Sequence, residues 1–163
     1  MPKSLKTKIA PHAQTGPRRL PPLLRRAWFS INQAFRRRIA HLGLTPDQFT
    51  ILRWLTEGDP RGLMQRQITD LMAADANTVA AILGRMEKAG LITRDVHEAD
   101  RRAHRVQVNA AGRKKFAAAQ RIAVELQKEV LSSLPAGQLD KFLEQLETVA
   151  NACHRSVGAT KKL

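Results

Sequence analysis

The 163-residue sequence has one cysteine, Cys153, no tyrosine, and only 4% aromatic residues. A lone cysteine excludes an intrachain disulfide framework and suits a reducing compartment, so the cytoplasm is the expected location. Scarce aromatics argue against recognition of single strands by base stacking. No stretch approaches the length of an apolar membrane span, and the N-terminal lysines lack the apolar run of a signal peptide. Five histidines (His12, His41, His97, His104, His154) show no metal-ligand spacing, so no zinc site and no cofactor is expected. A Gly-rich phosphate loop, a nucleophile elbow, an HExxH motif and clustered carboxylates are all missing, which leaves no catalytic residues and no enzymatic reading.

Acidic residues are absent from Met1 to Pro46; all fourteen lie from Asp47 onward. The same opening stretch holds ten basic residues: Lys3, Lys6, Lys8, Arg18, Arg19, Arg25, Arg26, Arg36, Arg37 and Arg38. Across the chain 28 Lys and Arg give a net charge of +14. A field of that strength favours a polyanionic partner, and nothing in the arm offers an apolar face to insert into a membrane. Double-stranded DNA is therefore the first candidate. With Pro2, Pro11, Gly16 and Pro17 among its basic residues, segment 1–20 reads as a flexible arm that would add phosphate contacts.

Periodicity sets out the remainder. Leu24, Trp28, Ile31, Phe35 and Ile39 form one apolar stripe on a helix from Pro21 to about His41, ended by Gly43. Thr45-Pro46-Asp47-Gln48 combines a threonine N-cap, a proline at the first helical position and a capping-box glutamine. Phe49, Leu52 and Leu55 follow as its buried face. A turn at Gly58–Gly62 precedes a short helix from about Leu63 to Met72. Asp75 caps another helix, in which Val79, Ile82, Leu83 and Met86 point one way, and Gly90 ends it. The period then changes: 91–96 and 103–108 read as two strands joined by the polar segment His97 to Arg102. Asn109 caps a long helix from Ala110 to about Leu131, and Pro135 separates it from a last helix carrying Leu139, Phe142, Leu143, Leu146, Val149 and Cys153.

The expected fold is mostly α with a small two-stranded β wing, a winged helix-turn-helix plus a helical dimerisation region. Two short helices and a hairpin in this order place the second helix where it can fill a major groove. With its apolar stripe turned inward, Asn77, Thr78, Ala81 and Arg85 remain for DNA. Asn and Thr can bond base edges, Ala81 admits a thymine methyl, and Arg85 suits phosphate. The same residues also fit an ordinary surface helix, since Asn77 and Thr78 are common in first turns for capping reasons. Asp100-Arg101-Arg102 is read as the wing tip, with an arginine reaching into a minor groove and Asp100 orienting it; a solvated charged turn is the alternative. Gln65 and Arg66, on the first helix of the pair, join the arm as backbone contacts.

Three segments carry a resemblance to a known family: Leu44 to Leu55 (LTPDQFTILRWL), Thr78 to Arg94 (TVAAILGRMEKAGLITR) and Asp100 to Ala103 (DRRA). In this order and spacing, from about Leu23 to Cys153, the chain resembles the MarR-family regulators. That resemblance implies an obligate homodimer held by the first and last helices, a recognition helix after Asp75 and a wing over 91–108. It also implies a small anionic or phenolic effector bound in a crevice between the dimer and DNA lobes, with repression as the default. Domains are accordingly expected at 1–20 (arm), 21–44 (first dimerisation helix), 45–109 (winged helix-turn-helix) and 110–157 (C-terminal dimerisation helices). Trp28 and Phe49, beside an arginine, are candidates to line the effector pocket, although both residue types more often serve as core. One of Arg36–Arg38 is a candidate for that arginine, against a plainer reading as a solvated face.

Three features depart from the family pattern. Leu63-Met64 stand where Thr or Ser often precedes the first helix of the pair, leaving its free amides to Gly62 or water. Val108-Asn109 replaces Leu-Thr after the wing. Redox-sensing members place a reactive cysteine near the N-terminus, so Cys153 is expected to be a packed structural residue. The competing function is a non-specific architectural DNA- or RNA-binding winged-helix protein.

Removal of residues 1–20 is expected to weaken binding to all duplexes similarly and to flatten the log–log salt dependence by about 0.9 per lost phosphate contact. A salt titration on two unrelated duplexes checks this; a changed sequence preference would instead make the arm a base reader.

Overall fold

A computed structural model describes residues 18–97 and 100–159 of the chain. Helix α1 (Leu20–Ile39) carries proline in its first turn, where the missing amide costs nothing, and tightens into a 3₁₀ turn over Ala40–Leu42 before Gly43 at φ +65°. Helix α2 (Pro46–Glu57) begins as its sequence dictates. The Gln48 amide donates to Thr45 Oγ1 at 3.3 Å and the Thr45 amide donates to Gln48 Oε1 at 3.0 Å.

Strand β1 (Leu63–Met64), helix α3 (Gln65–Met72), helix α4 (Ala76–Lys88) and strands β2 (Ile92–His97) and β3 (Asp100–Val108) complete the lobe. Helices α5 (Ala110–Leu131) and α6 (Leu139–Ala159) follow. Asn109 caps α5 by accepting from the Gly112 amide at 2.9 Å. No helix of the described residues is long and apolar enough to cross a membrane.

The wing is part of a three-stranded antiparallel sheet, ordered β1-β3-β2. Leu63 pairs with Val106 and Met64 with Arg105, so the segment expected to open α3 instead forms a third, two-residue strand. Helix α3 starts at Gln65, two residues later than the expected Leu63. Its orphan amide problem is met partly by the Met64 amide donating to Gln67 Oε1 at 2.8 Å, a glutamine serving where Thr or Ser was missing. In the hairpin, Ile92 faces Val108 and His97 faces Asp100, with an irregularity between Val96 and His97. Asp100, Arg101 and Arg102 therefore belong to the start of β3 rather than to the connection.

One apolar core joins the helices to the sheet: Ile39, Ile51, Leu52, Ile68, Val79, Leu83, Met86, Leu91, Ile92 and Val106 are essentially inaccessible. Phe49 sits at its centre, edge-on to Phe35 at 4.8 Å and stacked on Phe116 at 5.6 Å. Helix α6 stands outside this core, leaving Leu139, Phe142, Leu143 and Leu146 exposed, as are Leu20, Leu23, Leu24, Trp28 and Phe29 on α1.

Gly62 links the α2–β1 turn to the sheet. Its φ of +86° favours glycine, and a Cβ there would lie 2.2 Å from the Val106 carbonyl oxygen. Gly62→Ala is expected to destabilise the fold by about 1–3 kcal/mol, read as a lower denaturation midpoint at unchanged m-value. An unchanged midpoint would mean that β1 is not held at this separation from β3.

Candidate nucleic-acid interface

Helix α4 is anchored at both ends. The Thr78 amide donates to Asp75 Oδ1 at 2.8 Å and the Thr78 hydroxyl donates to Asp75 Oδ2. These two bonds, the hydroxyl first, hold the Asp75 carboxyl below its ordinary pKa. At the other end the Leu91 amide reaches the Met86 carbonyl at 3.0 Å and the Gly90 amide the Glu87 carbonyl at 2.9 Å. With Gly90 at φ +66°, that is a Schellman closure. Between the anchors Val79, Ile82, Leu83 and Met86 are buried, each burial contributing about 1.5–3 kcal/mol, so the helix cannot roll about its axis.

The opposite face is open. Asn77, Thr78, Ala81 and Arg85 are all exposed. Thr78 is committed to the cap as a donor, which leaves its hydroxyl lone pairs and methyl for any ligand. Two residues of this face were passed over in the sequence: Lys88, eleven residues after Asn77, and Gly84, seven after it. Both intervals are whole numbers of turns at about 3.6 residues per turn, so the helical period contained the signal. Glycine inside a helix costs about 1 kcal/mol relative to alanine.

Helix and wing are tied to each other. Arg94 on β2 donates through Nε to Glu87 Oε2 at 2.9 Å, and its Nη2 bonds the same oxygen. Arg94 holds the Glu87 carboxyl below its ordinary pKa, with burial opposing and His104 adding a smaller effect in the same direction. On the far side of β3, Arg105 Nη1 donates to the Gly62 carbonyl at 3.4 Å and Gln107 Nε2 to the Arg61 carbonyl at 2.9 Å.

The remaining expected site residues separate. Arg66 is exposed on the first turn of α3, whereas Gln65 is half-buried with its side-chain carbonyl oxygen unpaired. Arg18 and Arg19 are exposed just before α1. Lys3, Lys6 and Lys8, and the side chains of Asp100, Arg101 and Arg102, lie outside the described residues. Cys153, expected to be packed, is an exposed free thiol in the chain. Among the described residues no group of His, Cys, Asp and Glu is placed to hold a metal ion.

A cleft of about 220 Å³ opens between α1, α2 and α5, lined by Trp28, Phe35, Phe49, Arg53, Leu126 and Gln127 among others. Trp28 is 70% exposed whereas Phe49 is core, so the two candidates share the cleft but play different parts in the fold. The arginine that lines it is Arg53, which sequence reasoning missed. Its guanidinium lies 4.9 Å above the Phe49 ring and donates to Gln120 Oε1 at 3.2 Å, leaving Nε buried and unpartnered. Arg38 instead pairs with Glu129 at 2.7 Å, and Arg36 and Arg37 face solvent.

Comparison with known proteins gives a consistent picture. A MarR-family sequence profile matches residues 42–103. Transcriptional regulator HosA of Escherichia coli O127:H6 is 28% identical over 134 residues, covering 79% of this chain and 98% of that protein. The transcriptional repressor CouR, solved on a 23-mer DNA duplex, is 28% identical with a TM-score of 0.73, covering 81% of this chain and 92% of CouR. The crystal structure of MarR superposes with a TM-score of 0.79 at 22% identity, over 92% of this chain and 99% of that one, a likeness of fold.

Glu87 supplies a pH test of the helix–wing tie. Because its folded pKa is lowered, the contact stabilises the fold above the ordinary glutamate value of 4.5 and is lost as pH falls through the lower folded value. Glu87→Gln is expected to reduce stability at neutral pH and to make the acid limb below that value shallower than in wild type. Denaturant midpoints from pH 7 down to pH 3 check this; parallel limbs would mean that the pair contributes nothing in solution.

Proposed function

We propose that this chain, whose residues 42–103 match the MarR family, is a transcriptional regulator of that family and acts by binding a pseudo-palindromic operator in double-stranded DNA as a homodimer. The observation that carries this reading is the outward face of α4, where Asn77, Thr78, Ala81 and Arg85 stand opposite a fully buried apolar stripe. In this reading Asn77 bonds a base edge, Thr78 offers its lone pairs and methyl, Ala81 contacts a thymine methyl and Arg85 holds phosphate. Arg101 and Arg102, with Asp100 orienting one of them, reach into the neighbouring minor groove from β3. Arg66, Gln65, Arg18, Arg19 and the arm lysines Lys3, Lys6 and Lys8 contact the backbone. Repression is the mode we assign, since a bound dimer occludes a promoter without further machinery.

Dimerisation is supported by the large apolar side chains left bare on α1 (Leu20, Leu23, Leu24, Trp28, Phe29) and on α6 (Leu139, Phe142, Leu143, Leu146). A second copy using the same two helices would cover it around a twofold axis, which requires half-sites about one helical turn apart. Cys153, on α6, would then lie near the joint.

The cleft beside Arg53 is where we place an effector, an aromatic carboxylate or phenolate of about one ring. Its walls are largely apolar, and Arg53 Nε lacks a partner. Benzoate-type carboxylates are expected to raise the melting temperature of wild type but not of Arg53→Met. Equal stabilisation of the two would remove Arg53 from the site.

Selection from a random duplex library at rising salt tests the central reading. A specific regulator retains one motif while losing bulk DNA; an architectural protein loses all sequences together. On the selected duplex, Asn77→Ala should relax preference at one base position. Arg102→Ala or Arg101→Ala should cost about 1–3 kcal/mol of binding. Equal loss on every sequence for Asn77→Ala would assign it to capping or phosphate.

A further inference from the structure

We propose that Gly84 is a specificity-determining residue: its missing side chain lets α4 seat deeply enough for a thymine C5-methyl to pack over Gly84 and the Ala81 methyl. This rests on the reading of α4 as the groove-facing helix. The glycines of the fold differ in what explains them. Gly62 would drive a Cβ to 2.2 Å from the Val106 carbonyl oxygen, and Gly112 would drive one to 2.1 Å from the Leu91 carbonyl oxygen. Both are required by contacts inside the chain.

Gly84 has no such reason. It occupies the middle of α4 in ordinary helical conformation, and a Cβ built there meets no atom within 4 Å. Alanine would fit and would favour the helix, so the fold itself gains nothing from glycine at this position. The space that Gly84 leaves open faces outward. Seven residues after Asn77 and three after Ala81, it lies on the face turned away from Val79, Leu83 and Met86.

Around it the polar groups of the helix stand to either end or to one side: Asn77 and Thr78 in the first turn, Arg85 and Lys88 in the last. The middle of the face offers only the Gly84 backbone and the Ala81 methyl. Such a surface cannot read a donor or acceptor, but it complements the one apolar feature of the major groove, the thymine methyl. Depth and base choice then follow from the same absence. A side chain at 84 would hold the helix axis off the groove floor and occupy the methyl's place.

The test uses the full chain and the duplex that wild type selects from a random library. A thymine is expected at one fixed position in each half-site, and replacing it by uracil, which removes only the methyl, should weaken wild-type binding roughly five- to tenfold. Gly84→Ala should be at least as heat-stable as wild type yet bind that duplex more weakly, and Gly84→Val more weakly still. Both should lose the discrimination between thymine and uracil. A merely structural glycine would give the reverse, a change in melting temperature with binding untouched. Wild-type affinity in both variants, or uracil bound as well as thymine by wild type, overturns the proposal. Failure of wild type to select any motif is a different result: it removes the DNA reading itself, and this inference with it.

Discussion

The outward presentation of α4 depends on burial of four side chains. Val79, Ile82, Leu83 and Met86 occupy one side of a thirteen-residue helix and are almost wholly removed from solvent. Exposing any one of them costs more than a typical surface hydrogen bond returns, so the helix has a single stable rotation about its axis. Everything polar or small on the other side is thereby fixed in direction. The Asp75 cap and the Schellman closure at Gly90 then fix where the presented face begins and ends.

That fixed rod is joined to the sheet by contacts of different strength. The Leu91 and Ile92 side chains share the core with α4, which sets the start of β2 directly below the helix end. The Glu87–Arg94 pair adds a partly exposed tie, and the pairing of Leu63 with Val106 brings the front of α3 onto the same sheet. Helix pair and wing consequently form one body around a common core. The whole sequence carries a net charge of +14, which attracts any polyanion but does not by itself discriminate between base sequences.

Much of this architecture was legible because it is written in local periodicity and caps. Thr45 with Gln48, Asp75 with the alternating stripe after it, and Asn109 before α5 each specify a helix start by their own chemistry, and α5 runs from Ala110 to Leu131 as its pattern requires. Strand β1 was not legible, since two residues have no period; Leu63 and Met64 become a strand only through partners more than forty residues away. The hairpin strands run further than polarity suggested, because charged residues at a wing can pair as well as apolar ones, which takes Asp100 to Arg102 into β3. Helical spacing alone put Trp28 and Phe49 on inward faces. Only Phe49 meets a core there, because α1 projects beyond the lobe at its N-terminal half. On α3, Ile68 is covered while Leu71 is half in solvent. Arg53 was hidden for the opposite reason, since nothing local marks an arginine whose neighbours Gln120 and Phe49 come from two helices.

Stoichiometry and spacing on DNA bear most directly on the account. Sedimentation of the full chain with its selected duplex, combined with hydroxyl-radical footprinting, should give two copies per duplex and two protected half-sites centred about 10 bp apart on one side of the helix. One copy per duplex, or protection with no regular spacing, would contradict a paired presentation of α4.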